Sequence, residues 1–295
     1  METPTPARSA RRAILCVLAA SFFFSISAAL VKSVGHAVPT IEVVFFRSFF
    51  AGLATVPLLM RQGGFRALRT RHPWSHVGRV VTGFSGMITS FYGFATLPLA
   101  INTALGFGMP LVLTILSVPL LGERVGWRRV AAVIVGLAGI LIVVRPWRSD
   151  ALPMFPVAVV LLGVLAWALS MVSIRRMGAV GESSVAIMLW FSIGSSSVAA
   201  LCMLPVWVTP TLPELAVLIS VGLVSTFAQL LMTEGYRSGE TTLVAPFEYG
   251  AIVYTTLLGL VIWHEIPDVW NFVGIAVIVG SGLYIWHREA VRKSR

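Results

Sequence analysis

The sequence predicts an all-α polytopic membrane protein with ten transmembrane helices arranged as two inverted five-helix repeats. Three observations lead to this fold class. Charged residues make up 12% of the 295 residues and hydrophobic residues 57%, whereas a soluble domain averages about 25% charged residues. Apolar segments of membrane-spanning length recur along the whole chain, and segments of the first half reappear in the second half at a nearly constant offset.

Ten apolar segments reach the length of about 20 residues that a helix needs to cross the hydrocarbon core of a bilayer. The first segment follows a basic N-terminal stretch, as the apolar region of a signal peptide would. Because its apolar run continues to Val34 and further apolar segments follow, we interpret it as an uncleaved first span. The predicted spans are 13–34, 41–60, 78–97, 99–121, 127–145, 152–174, 183–207, 213–236, 242–263 and 268–287.

The positions of the basic residues predict the orientation of these spans. If the N-terminus is cytoplasmic, all but four of the 22 lysines and arginines fall on the cytoplasmic side. The exceptions are Lys32, Arg145 and Arg148 on the outer side and Arg47 within span two. We therefore expect both termini in the cytoplasm. Because the basic residues lie in short loops and form no basic domain, we do not expect nucleic acid as a partner.

An internal repeat relates the two halves of the chain. The pentapeptide AVIVG occurs at 132–136 and again at 276–280, and each copy follows an apolar span that ends in a glutamate, a polar turn and a tryptophan. Four separate regions agree on an offset of 142 to 144 residues. The corresponding residues are Glu123 and Glu265, Trp127 and Trp270, Gly93 and Gly235, Phe24 and Trp167, Ser27 and Ser170, Lys32 and Arg175, and Gly35 and Gly178.

The repeat predicts two units, residues 1–148 and residues 149–295, each with five spans. Because five is an odd number, the second unit crosses the membrane in the opposite sense. Inverted repeats of this kind provide alternating access in secondary transporters, with the substrate site near the midplane between the halves. The repeat therefore favours a transporter over a duplicated membrane protein without transport.

The chain resembles the drug/metabolite transporter superfamily, in particular its ten-span EamA-type branch. The resemblance covers nearly the whole chain and is carried by EVVFFRSFFAGL on span two, by the stretch from FYGFATLPLAINTALGFGMP to LIVVRP, and by its second-half counterpart from TTLVAPFEYGAIVY to VGSGLYI. It implies a carrier for small organic solutes in the bacterial inner membrane, with a central cavity lined by spans 1, 3, 4, 6, 8 and 9. Glu248 departs from the simplest family pattern, because it places an acid within span nine.

Similar members export amino acids or other metabolites, and some import solutes such as S-adenosylmethionine. We therefore predict export of an amino acid or a related compound, with uptake of a cationic metabolite such as S-adenosylmethionine as the alternative. The expected partners are the solute and the lipid bilayer, with protons as a candidate coupling ion. The sequence leaves monomer and homodimer open. No cofactor and no metal site is expected.

Ionisable groups inside a span are costly and are functional candidates by default. Glu248 follows Pro246 in span nine and is predicted to contact substrate or a proton, with hydrogen bonding to a neighbouring helix as the alternative. The equivalent residues Phe24 and Trp167 are candidates for a clamp around the solute, although packing explains them as well. The predicted substrate site comprises Phe24, Ser27, Tyr92, Asn102, Trp167, Ser170, Glu248 and Tyr249.

Four ionisable residues are candidates for coupling or gating: Glu248, Glu234, Arg47 and Glu42. Glu234 has Arg237 three residues further on, a spacing that favours an ion pair. Glu42 and Arg47 are five residues apart, about 140° around a helix, so we do not expect them to pair. Arg47 is expected to bind carbonyls or an acid on another span. Glu123 and Glu265 are expected to lock turns at opposite ends of the molecule.

An intramembrane serine protease is a remote alternative, because Gly83-Phe84-Ser85-Gly86 has the G-x-S-G form. Such chemistry needs a histidine within hydrogen-bond reach of the serine. His264 and His287 are predicted at the ends of spans, away from the depth of Ser85. Small residues for helix packing explain the motif better, so no catalytic residue and no enzyme activity is predicted.

Overall fold

The computed structural model describes residues 6–61, 64, 68–121, 127–145, 147, 152–238 and 245–293, and the regular structure in this part of the chain is helical. Two short 3₁₀ turns, Leu204–Val206 and Ala245–Tyr249, accompany the α-helices. The α-helices are α1 Pro6–Val34, α2 Thr40–Arg61, α3 Pro73–Thr96, α4 Leu99–Gly106, α5 Met109–Leu121, α6 Trp127–Val144, α7 Met154–Ala179, α8 Ser184–Met203, α9 Leu212–Ser238, α10 Gly250–Trp263 and α11 Val269–Lys293.

The described helices agree with the predicted membrane architecture. Within the described residues, six segments are long and apolar enough to cross a membrane, and three further apolar helices are shorter. The one remaining predicted span, span three, corresponds to α3, which carries His76 and Arg79 near its start. The six long segments are Arg11–Val34, Thr40–Arg61, Leu99–Leu116, Met154–Ala179, Val185–Val206 and Leu212–Gly235, and the shorter ones are Val130–Val144, Phe247–Trp263 and Val269–Ile285.

Span four is not one continuous helix, which corrects the sequence-based prediction. It is divided into α4 and α5 by a turn at Phe107 and Gly108. The interruption follows from Pro110, which has no backbone N–H to continue the hydrogen-bond ladder of α4. Instead, the Gly108 N–H donates to the Leu105 carbonyl over 2.9 Å and the Leu111 N–H donates to the Gly108 carbonyl over 3.0 Å.

The start of span nine is irregular as well. Residues 245–249 form a 3₁₀ turn, and the α-helix α10 begins only at Gly250. At the repeat offset of 142 residues, Gly250 corresponds to Gly108, so the irregular segments of the two halves lie at equivalent positions in the repeat. Discontinuous helices near the midplane are typical of transporters with inverted repeats.

Helix packing follows the predicted repeat. The first span of each half packs against the third span of the other half, since α1 contacts α9 and α7 contacts α3. Equivalent spans also pack against each other, as α2 does with α8, α4 with α10, and α6 with α11. The largest apolar cluster among the described residues joins α4, α6, α7, α10 and α11, and it includes Leu105, Ile140, Val157, Ile252 and Ile278.

The two AVIVG copies lie on α6 and α11, which cross in close contact. Gly139 and Gly274 make this approach possible, because a Cβ atom on Gly274 would lie 2.8 Å from the Gly139 carbonyl oxygen. The last glycines of the two copies differ in their surroundings. A Cβ on Gly136 would lie 2.5 Å from Ser281 Oγ, whereas Gly280 has no atom within 4 Å of that position.

Candidate functional site

The irregular segments of spans four and nine meet inside the helix bundle. The rings of Phe107 and Tyr249 lie 4.6 Å apart between centroids, at an interplanar angle of 34°. The two residues are 142 residues apart, so each is the counterpart of the other in the repeat. We call Phe107, Glu248 and Tyr249 the junction, because they join the two halves where both spans are interrupted.

Glu248 lies in the 3₁₀ turn of the junction and not in a regular α-helix as predicted. It directly precedes the first turn of α10, where the free N–H groups and the helix dipole favour a carboxylate. On the opposite side, α1 contacts this segment, since Ser21 Oγ donates to the Glu248 carbonyl over 3.4 Å and Ser25 Oγ to the Ala251 carbonyl over 3.3 Å. The backbone of this turn therefore lies beside the serines of span one.

Tyr249 is in contact with other segments through both its ring and its hydroxyl group. Phe107 contacts the ring, and the hydroxyl lies against Gly282 on α11, at a position that a side chain there would fill. Tyr249 therefore packs the 3₁₀ turn against Phe107, in the turn after α4, and against α11. A substrate-stacking role for Tyr249 stays a prediction.

Tyr92 lies near the end of α3 and Asn102 near the start of α4, where α3, α4 and α7 come together. Asn102 is buried and its Nδ2 donates to the Ser90 carbonyl over 3.2 Å, while its Oδ1 has no hydrogen-bond partner in the described structure. Gly93 makes room for this amide, since a Cβ there would collide with Oδ1. The ring of Tyr92 lies 6.4 Å from that of Phe155 in an edge-to-face arrangement.

Ser27 and Ser170, predicted to be equivalent, make equivalent contacts between the halves. Ser27 Oγ on α1 lies 2.8 Å from Ser225 Oγ on α9, and Ser170 Oγ on α7 accepts a hydrogen bond from Arg79 on α3. Each serine thus connects the first span of one half to the third span of the other. Their predicted contact with substrate is untested.

The structure does not bring Phe24 and Trp167 together. In the described part of the chain no ring contact joins them, and both side chains are half-buried. Trp167 packs against α3, where a Cβ on Gly86 would lie 2.8 Å from its ring. The clamp that was predicted from their equivalence remains a prediction.

Glu42 and Arg47 do not pair with each other, as expected from their spacing. Glu42 is fully buried, and its Oε1 accepts a hydrogen bond of 2.7 Å from the Val208 N–H in the loop between α8 and α9. Its Oε2 has no partner among the described residues. The expectation that Arg47 binds a carbonyl or an acid on another span is wrong. Its Nη1 lies 3.1 Å from Met87 Sδ instead.

Glu234 forms an ion pair with Arg12, a residue that the sequence did not indicate as its partner. Its Oε1 lies 3.0 Å from Arg12 Nη2 on α1, and both side chains are accessible to solvent. The side chain of Arg237 lies outside the described residues, as does Glu123. The pair connects the N-terminal helix to α9 at the predicted cytoplasmic end. A gating role for Glu234 stays a prediction.

A buried ion pair at the other end of the molecule was not anticipated. Lys32 Nζ lies 2.5 Å from Glu265 Oε1, and these side chains are 8% and 21% exposed. Lys32 also donates to the Leu97 carbonyl over 2.8 Å, and Glu265 Oε2 accepts from the Leu99 N–H over 3.0 Å. We call this group the Lys32–Glu265 clasp. It binds the end of α1 and the segment after α10 to the turn between α3 and α4, so Glu265 does more than lock its own turn.

A signal for the clasp is present in Lys32, a cation at the end of an apolar span, but the sequence does not identify its partner. Arg79, one of the basic residues predicted on the cytoplasmic side, is only 8% exposed and lies within the helix bundle, which the sequence did not indicate. A serine that was considered as a nucleophile, Ser85, donates to the Val81 carbonyl of its own helix over 2.8 Å.

A second polar cluster connects the segment before α3 to the turn between α7 and α8. Thr70 Oγ1 donates to Glu182 Oε1 over 2.6 Å, and His76 Nε2 lies 3.5 Å from Glu182 Oε2. The Thr70 hydrogen bond, with a smaller effect of His76, holds the pKa of Glu182 below its ordinary value of 4.5. The carboxylate form of Glu182 therefore stabilises the folded protein.

We expect this cluster to give the protein an acid-labile component of stability. A carboxyl group with a lowered pKa stabilises the fold fully above its ordinary value of 4.5, and the contribution is lost as the pH falls through the lowered value. Thermal unfolding of purified protein below pH 4.5 should therefore depend less on pH in Glu182→Gln than in the wild type. Thr70→Val, which removes only the hydrogen bond, should lie between them. Equal pH slopes for Glu182→Gln and the wild type would contradict the assignment.

Comparison with known proteins agrees with the fold. A model of the EamA-like transporter family matches residues 11–145 and 154–286. The chain is 33% identical over 267 residues to the pseudopaline exporter CntI of Pseudomonas aeruginosa (strain UCBPP-PA14), covering 90% of this chain and 93% of the relative. A solved crystal structure with 22% sequence identity superposes with a TM-score of 0.67, covering 96% of this chain and 99% of that one, and shows the same fold.

Other relatives carry different names. The chain is 28% identical over 265 residues to the S-adenosylmethionine uptake transporter of Rickettsia prowazekii (strain Madrid E), covering 90% of this chain and 89% of the relative. It is also 28% identical over 263 residues to the riboflavin transporter of Rhizobium johnstonii, covering 88% of this chain and 85% of the relative. Because the family model matches both halves and these similarities extend over most of each chain, the protein belongs to the EamA-like transporter family.

Proposed function

We propose that this protein is a secondary transporter that moves a small organic metabolite across the bacterial inner membrane by alternating access. The junction carries the proposal, because it places two interrupted spans of inverted repeats in contact through Phe107 and Tyr249. Family membership and the transporter names of the relatives support a small-metabolite carrier. The bias of basic residues supports cytoplasmic termini.

We propose an amino acid or a related compound as the solute, with export as the direction. The pseudopaline exporter among the relatives supports export. A second candidate is uptake of a cationic metabolite such as S-adenosylmethionine. It is favoured by the acid Glu248 at the junction and by the similarity to the S-adenosylmethionine uptake transporter of Rickettsia prowazekii.

Counterflow in proteoliposomes tests the proposal. Purified protein is reconstituted, vesicles are loaded with unlabelled solute, and entry of the labelled solute is measured for amino acids, S-adenosylmethionine and riboflavin. A carrier exchanges solute on both sides, so internal unlabelled solute should accelerate entry of at least one labelled solute. Entry that is insensitive to internal solute would indicate a channel, and no entry of any tested class above empty vesicles would contradict the proposal.

Glu248→Gln is expected to reduce counterflow about tenfold or more, or to abolish its pH dependence, while the protein still inserts and purifies. The physical reason is that a hydrogen bond to a charged group is worth about 1.5–3 kcal/mol, and tenfold corresponds to about 1.4 kcal/mol. Glu214→Gln serves as the matched control, because Glu214 lies at the far end of α9 and binds the backbone of Thr211. Unchanged flux and pH profile in Glu248→Gln would remove Glu248 from the site.

A further inference from the structure

We propose that Arg47 and Arg79 form a binding site for one carboxylate group of the transported solute, an inference that rests on the proposed function. The two residues, called the arginine pair below, lie on α2 and α3. The contacts of the arginine pair involve none of the junction residues, so the pair would give the solute a second, charged anchor.

Each guanidinium group of the arginine pair lies against apolar or neutral partners. Arg47 Nη1 is 3.1 Å from Met87 Sδ, and the Arg79 guanidinium lies over the ring of Phe191 at 4.0 Å from its centroid. Arg79 also donates to Ser170 Oγ on α7. The Nε atoms of both arginines are buried without a hydrogen-bond partner in the described structure. Buried donors of charged groups are costly when they are left unsatisfied.

The two guanidinium groups face one region. Met87 and Phe191, their respective contacts, belong to one apolar cluster of α2, α3 and α8. Arg79 reaches Gly83 and Arg47 reaches Met87, and these two positions on α3 are one helical turn apart, about 6 Å. Two guanidinium groups that approach adjacent turns of one helix are able to bind the two oxygens of one carboxylate.

No protein carboxylate occupies this position. Among the described residues, neither arginine forms an ion pair with an acidic side chain, and the nearest acid in sequence, Glu42, binds the Val208 N–H instead. Two like charges in a region of low dielectric repel each other, and buried cations are normally paired. The arginine pair therefore has an unmet requirement for an anion.

Two glycines on α3 leave space for Arg79 and for Trp167. A side chain at Gly83 would occupy the space of the Arg79 guanidinium, and a side chain at Gly86 would displace Trp167. The Gly83-Phe84-Ser85-Gly86 motif therefore makes room for this arginine and this aromatic ring. Trp167 and Ser170, both predicted to contact substrate, thus lie on the α7 side of the same region.

A solute carboxylate fits the arginine pair better than a lipid phosphate does. Arg79 is 8% exposed and is enclosed by side chains of α7 and α8, so it faces protein and not the lipid surface. A planar carboxylate with one charge also matches the forked donors of arginine. The amino acid or related compound proposed above as the solute contains such a group.

Thermal unfolding of the purified full-length protein in an uncharged detergent tests the inference. The probes are sodium benzoate, benzamide as its uncharged isostere, inorganic phosphate and phosphatidylglycerol, with sodium chloride at matched ionic strength as the reference. Benzoate at saturating concentration should raise the Tm by about 2 °C or more, because a ligand that binds the native state stabilises it by mass action. Benzamide should not raise it.

Variants assign the effect to the arginine pair. Arg47→Gln and Arg79→Gln should lose the benzoate shift, and their Tm without ligand should be unchanged or higher, because an unpaired buried charge has been removed. Arg47→Lys and Arg79→Lys, which keep the charge for folding, should weaken benzoate binding at least severalfold. Arg61→Gln, at the exposed end of α2, should keep the full shift.

Three outcomes would overturn the inference. They are an equal shift with benzamide, a benzoate shift that persists in Arg47→Gln and Arg79→Gln, and stabilisation by phosphate or phosphatidylglycerol but not by benzoate. The last result would assign the arginine pair to a phosphate group. Counterflow separates this failure from that of the proposed function. If the wild type exchanges solute while benzoate binding fails the variant test, the transporter proposal stands and only the carboxylate site is lost.

Discussion

Glu265→Ala is expected to lower the free energy of unfolding by about 3–5 kcal/mol, the cost of removing one partner from a buried ion pair. The loss is large because Lys32 is 8% exposed and would lose its carboxylate partner. The Leu99 N–H would lose its acceptor as well, so three segments of the Lys32–Glu265 clasp would be affected together. Thermal unfolding of the purified protein measures the effect.

Glu234→Ala provides the matched control for this prediction. Glu234 also pairs with a cation, Arg12, at 3.0 Å, but both side chains are accessible to solvent. Exposed ion pairs contribute about 0–1 kcal/mol. The double variant Lys32→Met with Glu265→Gln should recover part of the lost stability, because it also removes the buried charge. Equal destabilisation by Glu265→Ala and Glu234→Ala would show that the clasp is not a buried ion pair in the membrane protein.

Gly274→Leu is expected to destabilise the protein by about 1–3 kcal/mol or more, because α6 and α11 would have to separate. At Gly274 the added Cβ would lie 2.8 Å from the Gly139 carbonyl oxygen and 2.9 Å from the Val143 backbone nitrogen. Backbone atoms at a helix crossing cannot change rotamer to relieve the overlap. Thermal unfolding and the yield of folded protein in detergent measure the loss.

Gly280→Leu on the same helix is the control for Gly274→Leu. Both substitutions replace glycine by leucine within α11, so both gain the same helix propensity of about 1 kcal/mol. Gly280 has no atom within 4 Å of its added Cβ. Its substitution should therefore leave stability unchanged or raise it. A loss at Gly280 as large as that at Gly274 would show that the close helix crossing does not cause the effect.

Much of the fold was predictable because membrane spans and internal repeats can be recognised from the order of residues alone. Hydropathy locates the spans, and the constant offset of the repeat predicts which helices are equivalent, as the contacts of Ser27 and Ser170 illustrate. The interruption of span four was harder to predict. Glycines and a proline such as Pro110 are equally consistent with close packing and with bending until the hydrogen bonds are known.

The ionic contacts were the least predictable part of the candidate site. A buried charge takes whichever partner the packing of distant segments brings near, and sequence spacing indicates only partners on the same helix. Glu265 and Lys32 are 233 residues apart, and Arg79 meets Ser170 across 91 residues. Spacing indicated Arg237 as a partner of Glu234, and that pair stays a prediction, but spacing gave no sign of the pair with Arg12 on another helix.

The contact between Phe107 and Tyr249 has a consequence for the energetics of the proposed transport cycle. If the two halves exchange conformations, Phe107 takes the position of Tyr249 and Tyr249 that of Phe107, because the two residues are each other's counterparts. The same two residues are therefore in contact before and after the exchange. This contact therefore stabilises the inward-facing and outward-facing states equally and acts as a pivot. The Lys32–Glu265 clasp is different, because the sequence counterparts of its two residues are Arg175 and Glu123. The same exchange would therefore replace the clasp by a contact between other residues. A contact that forms in only one conformation favours that conformation in the absence of solute. Glu265→Ala should therefore shift the equilibrium between the two conformations of the carrier as well as lower its stability.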